Sequence, residues 1–296
     1  MAFFEDYGSD FLLDYQLSKS DGWCAPMHLH PHYEALLVTT ETEQATTING
    51  QPLPVISAPS LTIFAPFAMH RTEYRHNSPS ERFVFYFGAD LLKSYADAFK
   101  PFEEHAQSVF SRFILSPELL ELIRSELTAL REKPRDPTLE RLSFCLLFYR
   151  IITKAPLELA WNQAQSLEKI NKIIQYMAEH CQENLNSEDI CRKFYISRSK
   201  LNKDFSRYFS ITFHELLTEM RLNKAYFMLR GKKSIKEIAR ELGFEKDTYF
   251  YTFFKRYTGL TPLQWRKAKK TVPLHSVSSI AKKHLSDKGD KTQKAL

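Results

Sequence analysis

Two stretches towards the C-terminal end of this chain repeat one pattern, and the repeat restricts the fold more than any other feature. In the first, Ser187 stands where it caps a short helix carrying Ile190, a tight turn passes through Phe194-Tyr195-Ile196, and Ser197 opens a second helix with Leu201, Phe205 and Phe209 on one face. In the second, Ser234 and Glu237 make a capping box, and Ile235, Ile238, Ala239 and Leu242 form the inward stripe. Gly243-Phe244 then turns the chain into a helix of roughly Lys246 to Tyr257 that buries Phe250 and Phe254. Two short helices joined by a tight turn are the helix-turn-helix pattern. A long helix, Thr212 to Arg230, lies between them and ends at Gly231, whose missing Cβ suits a left-handed position after a helix. Ahead of both, Ile170, Ile173, Ile174 and Met177 mark an amphipathic support helix over 167–180. Gly259, Thr261-Pro262 and Trp265-Arg266 close the module with a capped turn and a last short helix.

The outward faces of the two second helices differ from their inward ones in kind. On the first, Arg198, Ser199, Asn202, Lys203 and Arg207 face out, polar and basic side chains of the types that bond base edges and phosphates. The second exposes Asp247, Thr248, Tyr249, Thr252 and Lys255. Charge is divided to match. Residues 166–270 hold 22 Lys and Arg against 12 Asp and Glu, a net of +10, whereas residues 1–165 hold 14 against 21, a net of minus 7. A basic module in an otherwise acidic chain points to a polyanionic partner such as double-stranded DNA, because neutralised phosphates release counterions.

The stretch SIKEIARELGFEKDTYFYTFFKRYTGLTPLQWRK (234–267) has the spacing I-x-x-I-A, G-F, Y-F, F-K-R, G-x-[ST]-P and a closing aromatic-Arg pair. On these residues, 167–268 resembles the DNA-binding domain of the AraC/XylS family of bacterial regulators. The resemblance implies a bundle of about seven helices whose two recognition helices enter adjacent major-groove segments ~34 Å apart. Carried over by position, the base readers are Ser199, Asn202 and Lys203 in the first helix, and Asp247, Thr248, Tyr249 and Thr252 in the second. Two positions depart from the family pattern: bulky Phe194-Tyr195 stands where Leu-Gly is frequent, and Glu245 where Ser is common. Asp247 is repelled by phosphate, so the first unit is expected to carry more of the specificity.

From about Trp23 to Phe87 the period is that of short strands, ALLVTT (35–40), ATTING (45–50), SLTIFAP (60–66) and RFVFYF (82–87), separated by Pro, Asn, Gly and Ser. Strands at this spacing favour a small barrel or sandwich able to hold one small ligand. The expected fold is therefore α+β and multidomain. A cupin-like β-barrel sensor occupies 1–90, a helical linker and dimerisation region 91–165, an all-α DNA-binding domain with two helix-turn-helix motifs 166–270, and a basic, disordered tail 271–296.

Within the barrel, HLHPHYE (28–34) sets His28, His30 and Glu34 in H-x-H-x-x-x-E order, with His70 following 36 residues after Glu34. This resembles the metal motif of cupins, since two His at i and i+2 of a strand share a face with a carboxylate four further on. The glycines that shape the cupin motifs are absent: Thr39–Glu43 replaces one, and Phe67-Ala68-Met69 replaces the usual P-x-G. A metal-free ligand barrel without cofactor is the expectation, with His30, Glu34, His70 and Tyr86 as its polar ligand contacts. His28, His30, Glu34 and His70 remain the candidate metal ligands of an alternative reading, a metal-binding, enzyme-like cupin fused to a DNA-binding module. Either face of the strand 82–87, Arg82, Val84 and Tyr86 or Phe83, Phe85 and Phe87, lies where it can line a pocket, although a plain core suits the Phe residues better. A sugar or an aromatic acid suits such a lining.

After Leu91 the period becomes helical. Ser116-Pro117-Glu118 opens a helix through Arg131, and LERLSFCLLFYRIITK (139–154) is apolar on more than one face, which suits either a buried helix or a homodimer interface. Pro156 and the polar run Trp161–Ser166 read as a linker. No stretch approaches the ~18 apolar residues of a membrane span, and MAFFEDYGSD lacks the basic and apolar regions of a secretory signal. Cys24, Cys145, Cys181 and Cys191 form no C-x-x-C pair and read as reduced. The expected protein is a cytoplasmic, ligand-responsive transcriptional activator, not an enzyme, with double-stranded DNA, a small-molecule effector, RNA polymerase and a second copy of itself as partners. An architectural DNA-binding protein without a ligand is the remaining competitor.

Overall fold

A computed structural model describes residues 3–4, 11–18, 27–75, 80–94, 100, 102, 108–131, 136–162, 165–209 and 211–268. The basic tail expected over 271–296 lies outside them. The chain divides into two compact units, Met1–Tyr176 with Ser199–Thr212, and Met177–Arg198 with Phe213–Leu296.

The first unit is built on two sheets. Five strands run in the order β1 (Phe3–Phe4), β3 (His28–Leu29), β8 (His70–Arg75), β5 (Glu43–Ile48) and β6 (Gln51–Pro52). Six run in the order β11 (Leu157–Asn162), β10 (Ser108–Ile114), β7 (Ser60–Phe64), β4 (Tyr33–Val38), β9 (Ser80–Phe87) and β2 (Phe11–Ser18). All pairings are antiparallel except β1 with β3. Residues 49 and 50 make the tight turn between β5 and β6, with φ of 48° at Asn49 and 77° at Gly50. Asn-Gly supplies that pair of left-handed conformations at little cost.

Strand β9 shows why the large sheet has two different faces. Its neighbours are β4 and β2, so side chains alternate between two environments and both are buried. Phe83, Phe85 and Phe87 point to an outer layer of helices. There α2 (Pro117–Leu122), α3 (Arg124–Arg131) and α4 (Pro137–Lys154) contribute Leu119, Leu127, Phe144, Leu147, Phe148 and Ile151 to one core. Val84 and Tyr86 point the other way, into a second core between the sheets with Leu36, Val38, Ile48, Phe64, Tyr74 and Phe110. A short helix α1 (Ala89–Lys93) follows β9. Arg131 joins the helical layer to the sheet through a two-bond pair with Glu81 at 2.7 and 2.6 Å, and the guanidinium contributes to holding that carboxyl below the usual range against the opposing effect of burial.

Several expectations are corrected here. The region 91–165 is not purely helical, because β10 and β11 complete the large sheet and Arg112 of β10, fully buried, pairs with Glu158 of β11 at 2.7 Å. The segment after Pro156, expected as a linker, is β11 as far as Asn162. SVFSRFI (108–114) has no clean alternation because both of its faces are covered, which hides a strand from a period-2 reading. The helix expected through Arg131 is broken at Ile123 into α2 and α3. Helix α4 keeps one buried side, Phe144, Leu147, Phe148, Ile151 and Ile152, while Leu139, Leu142, Leu146 and Tyr149 are 41–51% exposed.

The second unit is helical. It contains α6 (Ser187–Phe194), α8 (Phe213–Arg230), α9 (Ile235–Glu241), α10 (Asp247–Thr258) and α11 (Pro262–Ala268), while α5 (Gln165–His180) and α7 (Arg198–Phe209) straddle the division. Leu222, Ala225 and Leu229 of α8, Ile235, Ile238 and Ala239 of α9, Phe250 and Phe254 of α10 and Trp265 of α11 form one core. Arg266 ties it off by donating to the carbonyls of Leu229 and Lys233 at 3.2 and 2.7 Å. No helix among the described residues is long and apolar enough to cross a membrane.

Candidate functional site

The helix-turn-helix geometry follows from caps at both ends of each short helix. Asn186, not the expected Ser187, caps α6, its side-chain oxygen accepting the Asp189 N–H at 2.9 Å. Ser234 and Glu237 form the expected capping box of α9, with reciprocal bonds of 3.2 and 2.7 Å. Both helices end in the same closure. The Ile196 N–H donates to the Cys191 carbonyl at 3.0 Å, and the Phe244 N–H to the Ala239 carbonyl at 2.9 Å. The residue that must then turn left-handed is Tyr195 in one unit, φ 51°, and Gly243 in the other, φ 79°. Gly231 was expected to be left-handed but is not among the glycines with positive φ, and its N–H bonds the Met228 carbonyl at 3.1 Å.

These closures lead into α7 and α10 with the expected division of faces. Leu201, Phe205 and Phe209 are buried, and Arg198, Ser199, Asn202, Lys203 and Arg207 are exposed. On α10, Phe250 and Phe254 are buried, and Asp247, Thr248, Tyr249, Thr252 and Lys255 are exposed. Several of the α10 groups already serve their own helix. Asp247 accepts the Thr248 N–H at 2.9 Å at the favourable N-terminal end, and Thr252 donates to the Thr248 carbonyl at 3.0 Å. Arg198 lies 3.2 Å from Glu188.

In the first unit, the sheet register gathers the four residues of the histidine motif. His28 of β3 stands directly opposite His70 of β8, and Glu34 of β4 reaches the same point from the other sheet. The Glu34 Oε2 atom lies 3.6 Å from His28 Nε2, 3.0 Å from His30 Nε2 and 3.2 Å from His70 Nε2. All four residues are buried. Phe64 stacks on His70 with ring centres 3.8 Å apart, and Tyr86 meets His30 edge-on at 5.3 Å, so Tyr86 joins the cluster as the sequence suggested. Burial acts to raise the Glu34 carboxyl, but the charge interaction with His70 and the contacts of the three imidazoles outweigh it and hold the carboxyl well below its usual range. Burial and the neighbouring His28 push His70 down to about 4 against the opposing effect of Glu34.

Two residues that the sequence did not single out position this cluster. Asn49, in the β5–β6 turn, accepts the Met69 N–H at 3.1 Å and donates its own N–H to the Met69 carbonyl at 2.7 Å, fixing the residue before His70. Phe67 takes φ 61°, and its N–H donates to the His30 carbonyl at 2.8 Å. It adopts the left-handed conformation for which glycine is the usual choice, within the segment Phe67-Ala68-Met69 that stands in place of P-x-G. The Asn-Gly pair at 49–50 was a readable signal. Phe67 carried none. Beside the cluster, Pro31, Pro66 and Phe67 and the α5 residues Glu168, Asn171, Lys172 and Gln175 line a cleft of about 320 Å³.

Comparison with known proteins bears on the helical part first. The family described as Helix-turn-helix domain matches residues 190–268. The raffinose operon transcriptional regulatory protein RafR of Pediococcus pentosaceus is 29% identical over 123 residues, which cover 41% of this chain and 44% of that protein, less than half of its length. The HTH-type transcriptional activator RhaS of Salmonella arizonae is 24% identical over 266 residues, 84% of this chain and 90% of that protein. Among solved structures, ToxT from Vibrio cholerae matches with a TM-score of 0.49 and 16% identity, covering 89% of this chain and 99% of that one. Two capped helix-turn-helix units, the matched domain and the regulators that share its sequence lead to one conclusion: residues 190–268 form a helix-turn-helix domain similar to those of transcriptional regulators.

Proposed function

We propose that this chain is a ligand-responsive transcriptional activator that reads two adjacent major-groove segments with α7 and α10 and answers to a small-molecule effector held by its first unit. The observation that carries the reading is the exposed face of α7, where Ser199, Asn202 and Lys203 stand together between Arg198 and Arg207. Bidentate and charge-assisted groups at that spacing read base edges and phosphates from within a major groove. The DNA-reading module is proposed as 166–270, and the sensor as a cupin-like barrel running to Asn162, since β10 and β11 complete its sheet. The effector is proposed to be a sugar, entering by the cleft beside Pro31 and Phe67 and approaching His30, Glu34, His70 and Tyr86. A relative named for a raffinose operon supports that class.

The exposed Leu139, Leu142, Leu146 and Tyr149 follow i, i+3, i+7 and i+10 spacing along α4, a seam of the width that pairs two helices. A second copy of the chain is the proposed occupant, so that the effector controls the spacing of two DNA-reading modules and their contact with RNA polymerase. Selection of bound sequences from random DNA by the full-length protein, with and without candidate sugars, tests the reading. A preferred motif of two segments about one helical turn apart is the expected result. Uniform recovery of all sequences removes the regulator reading, and a motif whose occupancy no sugar alters removes the effector class.

A further inference from the structure

The turn of the first helix-turn-helix holds a residue that the proposed reading leaves without a task. Tyr195 ends α6 with φ 51° and ψ 53°, a left-handed conformation that costs free energy in any residue with a Cβ and that glycine adopts freely. Packing does not offset that cost, because the residue is 91% exposed. Its hydroxyl makes no hydrogen bond among the described residues. The bond that closes the turn, from the Ile196 N–H to the Cys191 carbonyl, is between backbone groups and asks for no side chain at 195. Folding by itself therefore favours glycine here, the residue that the second turn has at Gly243. An outlier of this kind, strained and outside any core, points to a use at the surface. We infer that the Tyr195 hydroxyl donates a hydrogen bond to a backbone phosphate of DNA at the edge of the groove that α7 reads. The inference rests on the reading of α7 as a recognition helix.

Groove dimensions give the position. The major groove is about 12 Å wide and an α-helix with its side chains about 10–12 Å across, so α7 fills the groove and leaves no room for the turn ahead of it. That turn lies at the lip, where the phosphates stand. Tyr195 is three residues ahead of Arg198, the first residue of α7, so their Cα atoms are at most about 11 Å apart even with the chain extended. Side chains at the lip meet phosphate and sugar rather than base edges, and the phenol of tyrosine is among the groups that bond phosphate oxygens.

Charge separates this turn from its counterpart. From the start of α6, residues 187–203 hold five Lys and Arg against two Asp and Glu, a net of +3, whereas the matching stretch from the start of α9, 235–251, holds three against four, a net of minus 1. The two acids of the first stretch, Glu188 and Asp189, are engaged by Arg198 at 3.2 Å and Arg192 at 3.4 Å. Phosphate is therefore drawn to the first turn and not to the second. The turn residues follow the same division. The basic turn carries a phenol, and the acidic one carries Gly243, where a Cβ has no space beside the Gln182 carbonyl.

The test uses the full-length protein and a duplex carrying the motif recovered by selection. Wild type is compared with Tyr195→Phe, which keeps the ring and removes the hydroxyl, and with Tyr195→Gly, which removes both. Each variant is expected to bind about 3–30-fold more weakly, the loss of one hydrogen bond to a charged acceptor. The preferred motif stays the same, because a phosphate carries no sequence information, and the salt dependence stays the same, because a neutral hydroxyl releases no counterion. Methylphosphonate substitution, which removes the charge and one free oxygen of a single phosphate, is then scanned along both strands. One position is expected at which wild type is weakened and Tyr195→Phe loses nothing further. Urea midpoints measured alongside keep binding separate from folding, since Tyr195→Gly is expected to be more stable than wild type. Unchanged affinity in Tyr195→Phe overturns the inference, as does a changed motif, a reduced salt slope, or a scan without a phosphate specific to the hydroxyl. Each of those results leaves selective binding by wild type, and with it the regulator reading, intact, whereas a wild type without a preferred motif removes both.

Discussion

The two helix-turn-helix closures place a tyrosine and a glycine in the same left-handed position, and substituting each towards the other has opposite consequences. Tyr195 has φ 51° and is 91% exposed, so its ring contributes little packing. A residue with a Cβ in that conformation costs roughly 1–2 kcal/mol. Tyr195→Gly removes the cost but adds backbone freedom to the unfolded chain, which offsets about 0.5–1 kcal/mol. A net stabilisation of about 0.5–1 kcal/mol is expected. At Gly243 the balance reverses. A Cβ built there meets the Gln182 carbonyl oxygen at 1.7 Å and its carbon at 2.9 Å, in addition to a φ of 79°. Gly243→Ala therefore requires the backbone near Gln182 to move, and a loss of about 3 kcal/mol or more is expected. Urea unfolding of the full-length protein by far-ultraviolet circular dichroism, with midpoints compared at unchanged slope, measures both. A lower midpoint for Tyr195→Gly, or a Gly243→Ala midpoint equal to wild type, would refute the argument, since either means that backbone conformation and the Gln182 contact do not govern these turns.

Asn202→Ala and Lys203→Ala are each expected to weaken specific binding by ~1–3 kcal/mol and to relax preference in one part of the selected motif. Arg207→Ala should instead weaken all sequences alike and lower the salt dependence by about one charge, and an altered motif in that variant would contradict its assignment to phosphate. Glu219 of α8, raised to about 7 by burial and then by Glu215, keeps its proton in the folded state over the interval from 4.5 to about 7, where the unfolded chain has lost it. The folded state binds more protons there, so stability falls as pH rises through that window, and Glu219→Gln should flatten the profile and stabilise the protein at pH 8. A variant profile parallel to wild type counts against the shift. Leu142→Glu and Leu146→Glu, both on exposed positions of α4, should convert a dimer to monomer in sedimentation at micromolar concentration without unfolding it, and a dimer unaffected by both moves the interface elsewhere.

Much of the helical part was legible because its signals are local. Ser234 with Glu237, the left-handed Gly259 and the inward stripes Ile235, Ile238, Ala239 and Phe250, Phe254 are all set by residues within a turn or two of one another, and each takes its expected place. The outward faces of α7 and α10 follow from the same 3.6-residue period. Caps were less legible where neighbouring residues compete, as Asn186 and Ser187 do, since both side chains can accept an N–H and only backbone conformation chooses.

What the sequence by itself determined, then, is the repeated helix-turn-helix, the charge that separates it from the rest of the chain, and the strand character of β4, β5, β7 and β9. Only the tertiary structure decided that β10 and β11 belong to the large sheet, because covering both faces of a strand erases the alternation that marks it. It alone set which apolar residues of α4 are core, since Phe148 and Ile152 are buried and Leu142 and Leu146 are not, although all four are equally apolar in the sequence. It also decided that Tyr195 is tolerated in the left-handed position of the first turn while glycine is required at 243 in the second, through the carbonyl of Gln182. The histidine cluster shows both levels at once. The period of a strand puts His28 and His30 on one side, but their meeting with His70 depends on antiparallel register between segments about 40 residues apart, which no local pattern encodes.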